Sequence, residues 1–413
     1  MFSKIDYRLA SRAPKAISSL QEDREMPGTI TNWASRLKHY LAYRRWRQMT
    51  QNVWRQRFRK ILSLHPEYGR PCDPVMEAEH RSYWADLQKR VNLLTLRVCS
   101  AVSGQTNPKI VPEEVYDVHI EPSLNRHRMA EFLAHKSAYE RWFVGGAFVP
   151  AHMHNVNGCL FGPDFRPIAR DDVGRLLDKL SFPVVFKPNM GTIGGKDVFM
   201  PKTREELVSL MKRRQDYIIQ PRMEQDEFFG KFNRAGLNTL RVCLYRSVQT
   251  EEIHVLNVAL RMGVGGSLDN ETAGGIVCFV RSDGSLNNYA VDKNGKKFLS
   301  HPDTGIAFGQ CERIPDFEGL KDLARSVARD LFLIRLTSLD MFKDTEGRWR
   351  VLEVNLFGQT IRFSQYGGEP FFGRFTDEVF EYCRANRWWQ ALSVQTFGYA
   401  LAFESLAGDV AFM

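Results

Sequence analysis

Two architectures follow one another in this chain: a basic, mainly helical region over residues 1–125, and an α+β domain over residues 126–390 that ends in a tail at 391–413. Three observations lead there. Residues 1–70 hold 15 Lys and Arg against 5 Asp and Glu, whereas the remaining 343 residues sum to a net charge of −1. Between Leu37 and Leu64, aromatic and basic residues recur at helical spacing without Pro or Gly. After residue 130 the pattern becomes short β-branched runs separated by turns and a few amphipathic helices.

Composition limits the alternatives. With 43% hydrophobic and 25% charged residues over 413 positions, the chain has enough apolar material for two or three packed units and is not wholly disordered. No run approaches the roughly 18 apolar residues that a membrane-spanning helix needs. The first residues, MFSKIDYRLASRAPKAISSL, contain no continuous apolar core, so export is not expected; an organelle transit segment stays open as a minor alternative. Seven widely spaced cysteines (Cys72, Cys99, Cys159, Cys243, Cys278, Cys311, Cys383), odd in number and without CxxC, fit reduced thiols in a cytoplasmic protein rather than disulfides, a metal cage or a nucleophile.

The first element is the helix from Trp33 to Leu64, in which Arg44, Arg45, Arg47, Arg55, Arg57 and Arg59 alternate with Tyr40, Tyr43, Trp46, Trp54 and Phe58. Two readings stay open: an aromatic stripe packed on the rest of the protein, or docking of residues 37–64 on an anionic membrane surface or lipid-linked glycan, peripheral at the inner face of the membrane. No nucleic acid is expected, because no helix-turn-helix spacing, zinc pattern or RNA-binding aromatic motif accompanies the charge. A second long helix is expected over Val75–Val102, and the stretch SGQTNPKIVPEE, around 103–114, has the composition of a linker.

In the second part, Phe182–Lys187 reads as a strand, GTIGG as a tight loop and Asp197–Met200 as the returning strand. Thr203, with Glu206 three residues on, forms a capping box for the helix REELVSLMKRR, which leads to the apolar run Tyr217–Gln220. Thr239–Tyr245 and Ile253–Met262 alternate as strands. From Glu318 to Phe332, Leu320, Leu323, Ala324, Val327, Ala328 and Leu331 recur at three and four, so that stripe belongs to the core.

Three places carry chemistry. In Lys187-Pro-Asn-Met-Gly191-Thr-Ile-Gly194-Gly195-Lys196, glycines let backbone N–H groups turn toward a phosphate, and a lysine at the strand end supplies countercharge. The spacing is neither a P-loop nor a dinucleotide fingerprint, and a plain glycine turn would also explain it. In Leu339-Asp340-Met341-Phe342, the turn Asp344–Gly347 and Trp349-Arg-Val-Leu-Glu353-Val-Asn355, alternation places Glu353 and Asn355 on one face, and pairing about the turn brings Asp340 near Glu353. Three hard oxygen donors of that kind suit magnesium with a nucleotide phosphate; a solvated polar face is the bland alternative. Arg241 and Arg261, each in an apolar strand beside Asp269-Asn270-Glu-Thr-Ala-Gly274-Gly275, need an anion if they face the core.

Taken in order, the glycine-loop hairpin, the helix, the paired arginine strands, the Asn and Gly-Gly loop and the D…ExN hairpin resemble the ATP-grasp superfamily. NTLRV, SLDNETAGGIVCFV, SHPDTG and ERIPDF are similar to its sugar-transfer-associated group, related to alpha-L-glutamate ligases; the likeness covers about residues 130–385. The resemblance implies an ATP-grasp fold in which two α+β subdomains clamp ATP, with a glycine-loop subdomain at about 180–222. It implies ATP contacts from Lys187, from Lys136 and from the loop residues Gly191, Thr192, Gly194 and Gly195. It further implies an adenine-holding hinge at Gln220, Pro221, Arg222 and Met223, and ribose held by Glu227, with Glu224 and Asp226 as competitors. Asp340, Glu353 and Asn355 would be Mg2+ ligands, and Arg241, Arg261 and Asn270 would meet the transferred phosphate and the acyl group. The implied activity is an ATP- and Mg-dependent carboxylate-amine ligase working through an acyl phosphate. Its substrates would be a small-molecule or glycan carboxylate, such as a uronic acid of a surface-polysaccharide precursor, and an amine. A phosphotransferase acting on a hydroxyl and a non-catalytic nucleotide-binding protein are the alternatives.

Overall fold

A computed structural model describes residues 30–143, 145–191, 197–266, 274–359 and 361–388. The expected tail at 391–413 lies outside them. Helix α1 (Ile30–Leu64) buries Tyr43, Thr50, Trp54, Phe58 and Ile61 along one stripe and leaves Arg44, Arg55 and Arg59 exposed. The aromatic stripe therefore packs on the protein, the first of the two readings of this helix. Trp54 supplies the polar anchor: its Nε1 donates to Asp117 Oδ2 at 2.7 Å.

The single helix expected over Val75–Val102 is two, α2 (Pro74–Trp84) and α3 (Leu94–Ser103). The break has a polar cause. The buried Glu114 carboxylate accepts from Gln88 Nε2 at 3.2 Å and from Asn92 N at 2.9 Å, and Asn92 Oδ1 then accepts from Leu94 N, opening α3. Two hydrogen bonds to a carboxylate outweigh continuing the helix through residues that pack as well on either side of a turn. After α3 the chain runs through helical turns at Glu113–Val115, Tyr116–Ile120 and Glu121–Leu124, the middle one π-helical.

Two antiparallel sheets follow. The smaller has the order β2-β1-β4-β3, built from β1 (Met153–Val156), β2 (Cys159–Phe161), β3 (Val184–Pro188) and β4 (Tyr217–Pro221). It takes in residues well before 180, where the glycine-loop unit was expected to begin, because β1 pairs with β4 through Met153–Ile219 and His154–Ile218. The returning segment after the glycine loop is one bridge, Phe186 to Phe199. Thr203 caps the helix Arg204–Arg213 as expected, accepting from Glu206 N, but Glu206 reaches Lys202 N rather than the N-terminal N–H of a reciprocal box.

The larger sheet has the order β11-β10-β5-β6-β7-β8-β9. Its strands are β5 (Thr239–Arg246), β6 (Ile253–Met262), β7 (Ile276–Val280), β8 (Leu286–Val291), β9 (Lys297–Phe298), β10 (Leu336–Lys343) and β11 (Trp349–Asn355). Strand alternation divides it. Leu240, Val242 and Leu244 point into a core with Leu320, Ala324 and Val327 of the helix Phe317–Asp330. Cys243 and Tyr245 point the other way, against Trp84, Val115, Ile120 and Leu124, while Ala259 and Val277 meet Trp54, Phe58 and Ile61. The N-terminal helices thus share cores with the sheet. Arg241, two residues before Cys243, stands on that same face beyond their edge.

Four cysteines are buried, and burial pushes the Cys243, Cys278 and Cys383 thiols up to about 12, so none of these three is a thiolate at neutral pH. Among the described residues no helix is long and apolar enough to cross a membrane.

Phe58 tests the shared core. Its side chain is fully buried against the sheet, so Phe58→Ala should cost about 3–5 kcal/mol in urea unfolding. The sheet should unfold in the same transition; a loss below about 1 kcal/mol would mean that α1 lies on the domain without contributing to it.

Candidate active site

The site begins with the β10–β11 hairpin. Gly347, at φ +76°, closes its turn by donating to Asp344 O at 2.9 Å, and Asp344 accepts from Arg348 N and from the Arg350 guanidinium. The register then places Asp340 directly opposite Glu353 and Ser338 opposite Asn355. On its other side Asp340 faces Arg241. Arg241 holds it with two bonds of 2.8 Å, Nε to Oδ1 and Nη2 to Oδ2, and Arg261 Nη1 reaches Oδ2 at 3.2 Å. Burial by itself would raise this carboxyl; Arg241 first, Arg261 next and the Asn355 amide hold it well below the usual carboxylate range.

Lys187 comes from β3 of the smaller sheet and Lys136 from the short turn Lys136–Ala138 that precedes it. Lys136 Nζ pairs with Glu353 Oε1 at 2.9 Å. Lys187, buried near the end of β3, is lowered to about 8 by burial and then by the Lys136 charge, with Glu353 pulling the other way. Lys136, Lys187 and Glu353 therefore act on one another across the gap between the sheets. Their mutual placement rests on Asn189: its carbonyl accepts from Lys136 N at 3.0 Å, its Oδ1 from Ser137 Oγ at 2.8 Å, and its Nδ2 donates to Asn155 O. Tyr139 Oη accepts from Val354 N between Glu353 and Asn355. Sequence reasoning passed over Asn189, Asn155, Ser137 and Tyr139, which have no periodic or motif signal.

The structure thus brings together Lys136, Lys187, Arg241, Arg261, Asp340, Glu353 and Asn355. Where the resemblance puts both arginines on phosphate and acyl group, their guanidiniums rest on Asp340. Of the hinge residues, Gln220 uses its Nε2 to donate to Val149 O at 2.6 Å; Pro221 ends β4, and Arg222 and Met223 follow as exposed and half-buried connection. Asp226 is taken up by capping, accepting from Phe228 N, whereas Glu224 and Glu227 are exposed. Gly191, at φ +75°, starts the loop after β3. Thr192, Gly194, Gly195 and Asn270 lie outside the described residues.

Asp340, Glu353 and Asn355 form a hard-oxygen donor set, two carboxylates and an amide, that fits Mg2+ sharing its remaining positions with phosphate and water. Among the described residues no group of three or more His, Cys, Asp or Glu side chains suits a metal held by protein alone.

Residues 119–377 match the family described as Sugar-transfer associated ATP-grasp. The chain is similar to solved structures of the N5-carboxyaminoimidazole ribonucleotide synthetase purK in its ADP complex (16% identity, 59% of this chain and 50% of that one, TM-score 0.33). It is also similar to L-amino acid ligase from Bacillus licheniformis (12%, 58% and 43%, 0.33) and to the ATP-grasp ligase PsnB complexed with minimal precursor, Mg and ADP (12%, 62% and 60%, 0.36). The chain thus spans about half the length of these proteins. No curated protein matches it.

Competitive acetylation with mass readout tests the coupling. Lys187 should titrate near about 8 instead of the ordinary 10.5, carrying charge below that midpoint and losing it above. Lys136→Met should move the midpoint up by removing repulsion, and Glu353→Gln should move it down; an ordinary midpoint indifferent to both changes would separate Lys187 from Lys136 and Glu353.

Proposed function

The chain belongs to the sugar-transfer-associated ATP-grasp family, and from that premise we propose that it is an ATP- and Mg2+-dependent ligase that joins a carboxylate to an amine through an acyl phosphate. The observation that carries this reading is the meeting of Lys187 from β3 and Lys136 from the turn before β1 with the Asp340–Glu353 pair of the larger sheet. The acid is a uronic acid or similar unit of a cell-surface polysaccharide precursor, and the amine is an amino acid or comparable nucleophile. That choice of substrates rests on the family resemblance.

In this reading Lys187 and Lys136 bind the ATP phosphates, and Gly191, Thr192, Gly194 and Gly195 contribute phosphate contacts as the resemblance implies. The chain at Gln220, Pro221, Arg222 and Met223 seats adenine, and Glu227 takes the ribose. Asp340, Glu353 and Asn355 hold Mg2+, which when bound neutralises charge on the phosphates. A carboxylate oxygen of the acid attacks the γ-phosphorus, and ADP leaves. The amine nitrogen then adds to the acyl carbon, phosphate departs with the C–O bond pair, and the amine gives up a proton. Arg241, Arg261 and Asn270 orient the acid and stabilise negative oxygen during the second step. Catalysis is mostly positioning and charge neutralisation. Arg44, Arg55 and Arg59, exposed on the outer face of α1, support a cytoplasmic enzyme that works beside an anionic membrane surface or a lipid-linked glycan.

Mass detection of products with candidate uronic acids and amino acids tests the reaction. ADP and phosphate should appear only when acid and amine are both present, and Lys187→Met should lower kcat/KM by about 100-fold or more, roughly 2.7 kcal/mol of transition-state stabilisation. A stable phosphorylated hydroxyl product, formed without an amine, would replace ligation by a kinase reaction.

A further inference from the structure

Asn125, at the end of the N-terminal region, has all four hydrogen-bonding positions of its amide occupied. The side chain is wholly buried. Its Nδ2 donates to Leu336 O at 2.7 Å and to Leu356 O at 2.8 Å, and its Oδ1 accepts from Arg335 N at 3.1 Å and Leu336 N at 2.9 Å. Leu336 begins β10, and Leu356 immediately follows Asn355. One amide therefore ties the base of β10 to the exit of β11.

That exit needs tying. β11 is the edge of the larger sheet; its outer side is met by the bridge Phe148–Val351 and by Tyr139 Oη on Val354 N, and its pairing with β10 ends at Asn355. The chain there is held at successive points by side chains instead. Thr337 Oγ1 donates to Asn355 O at 3.0 Å, Asn125 takes Leu356 O, and the buried Glu121 accepts from Gly358 N at 3.0 Å. Further on, Glu113 accepts from Arg362 N, and Gln365 exchanges two bonds with the Val111 backbone. The segment 111–125 runs as a polar strap along residues 356–365. Apolar burial of Val115, Ile120 and Leu124 already anchors it, so the polar bonds are spent on geometry.

We infer that Asn125, with Thr337, is a positioning residue for the Mg2+ site: the two fix the backbone carbonyls of Asn355 and Leu356, where the chain leaves β11, and so set where the Asn355 amide stands relative to Asp340. This deepens the proposed function and rests on its reading of Asn355 as a metal ligand. It also gives the N-terminal region a part in the site, since Asn125 and Glu121 come from that region and Asn355 from the hairpin.

The test compares ATP dissociation constants with and without Mg2+ in the full chain; the ratio is the metal's enhancement of binding. Partners that orient metal ligands typically contribute about 10–100-fold to metal affinity. Asn125→Asp, Asn125→Ala and the near-isosteric Thr337→Val should each reduce the enhancement by about tenfold or more while leaving metal-free ATP affinity within about twofold. In an Asn355→Ala background they should reduce it no further. Glu77→Gln, which breaks the Glu77–Arg97 pair in the same helical region, should lower Tm and leave the enhancement intact. Should Asn125→Ala fail to fold, Thr337→Val decides. The inference is overturned if folded variants keep the enhancement, if Glu77→Gln removes as much of it, or if the losses persist in full without Asn355. A wild-type chain with no enhancement at all would overturn the metal reading itself.

Discussion

Charge balance among buried and half-buried ionisable side chains is the condition on which this molecule is built. A buried carboxylate or guanidinium is costly unless it is paired and hydrogen-bonded, and Asp340 meets that condition through Arg241 and Arg261, Glu353 through Lys136. The four cations named in the site, Lys136, Lys187, Arg241 and Arg261, face two carboxylates, Asp340 and Glu353. Lys187 feels part of that surplus: burial first, and then the Lys136 charge, disfavour its proton. In the proposed function a triphosphate offsets this excess of cations, and the two carboxylates with Asn355 would hold the Mg2+ that accompanies it.

Sheet parity determines what else shares that face. Because Arg241, Cys243 and Tyr245 alternate to the same side of β5, the surface that carries the site continues without a break into the surface covered by α1, α3 and the helical turns at 113–124. Part of one face is core, and the neighbouring part is cleft. The N-terminal region is accordingly a wall of the domain, and its basic outer face points away from the sheet.

Much of this was legible in the sequence. Period-two spacing with turn residues between two apolar runs was enough to pair Asp340 with Glu353 and set Asn355 beside them, and an arginine within an apolar strand announced its need for an anion. Which anion was not legible. Arg241 and Arg261 satisfy themselves on Asp340 because β5 and β10 are neighbours, although 99 and 79 residues of chain separate the partners. The break between α2 and α3 escaped for a related reason: apolar periodicity carries straight through, and only Glu114, brought close by tertiary packing, stops it. Asn189 and Asn125 were invisible altogether, since a lone Asn in irregular chain looks like any turn residue until its partners arrive.

Asn125 and Lys136 make the same point about how the two parts of the chain were joined. Each stands in a short stretch with no regular pattern, between the helical region and the first strand, and each reaches the hairpin across more than 200 residues. One holds the backbone beside Asn355; the other neutralises Glu353. The ladder between β10 and β11 ends at Ser338 and Asn355, and ladder bonds alone do not hold the chain beyond that rung. Asn125 continues the tie from Leu336 to Leu356 with a side chain, so the boundary between the regions is itself part of the site.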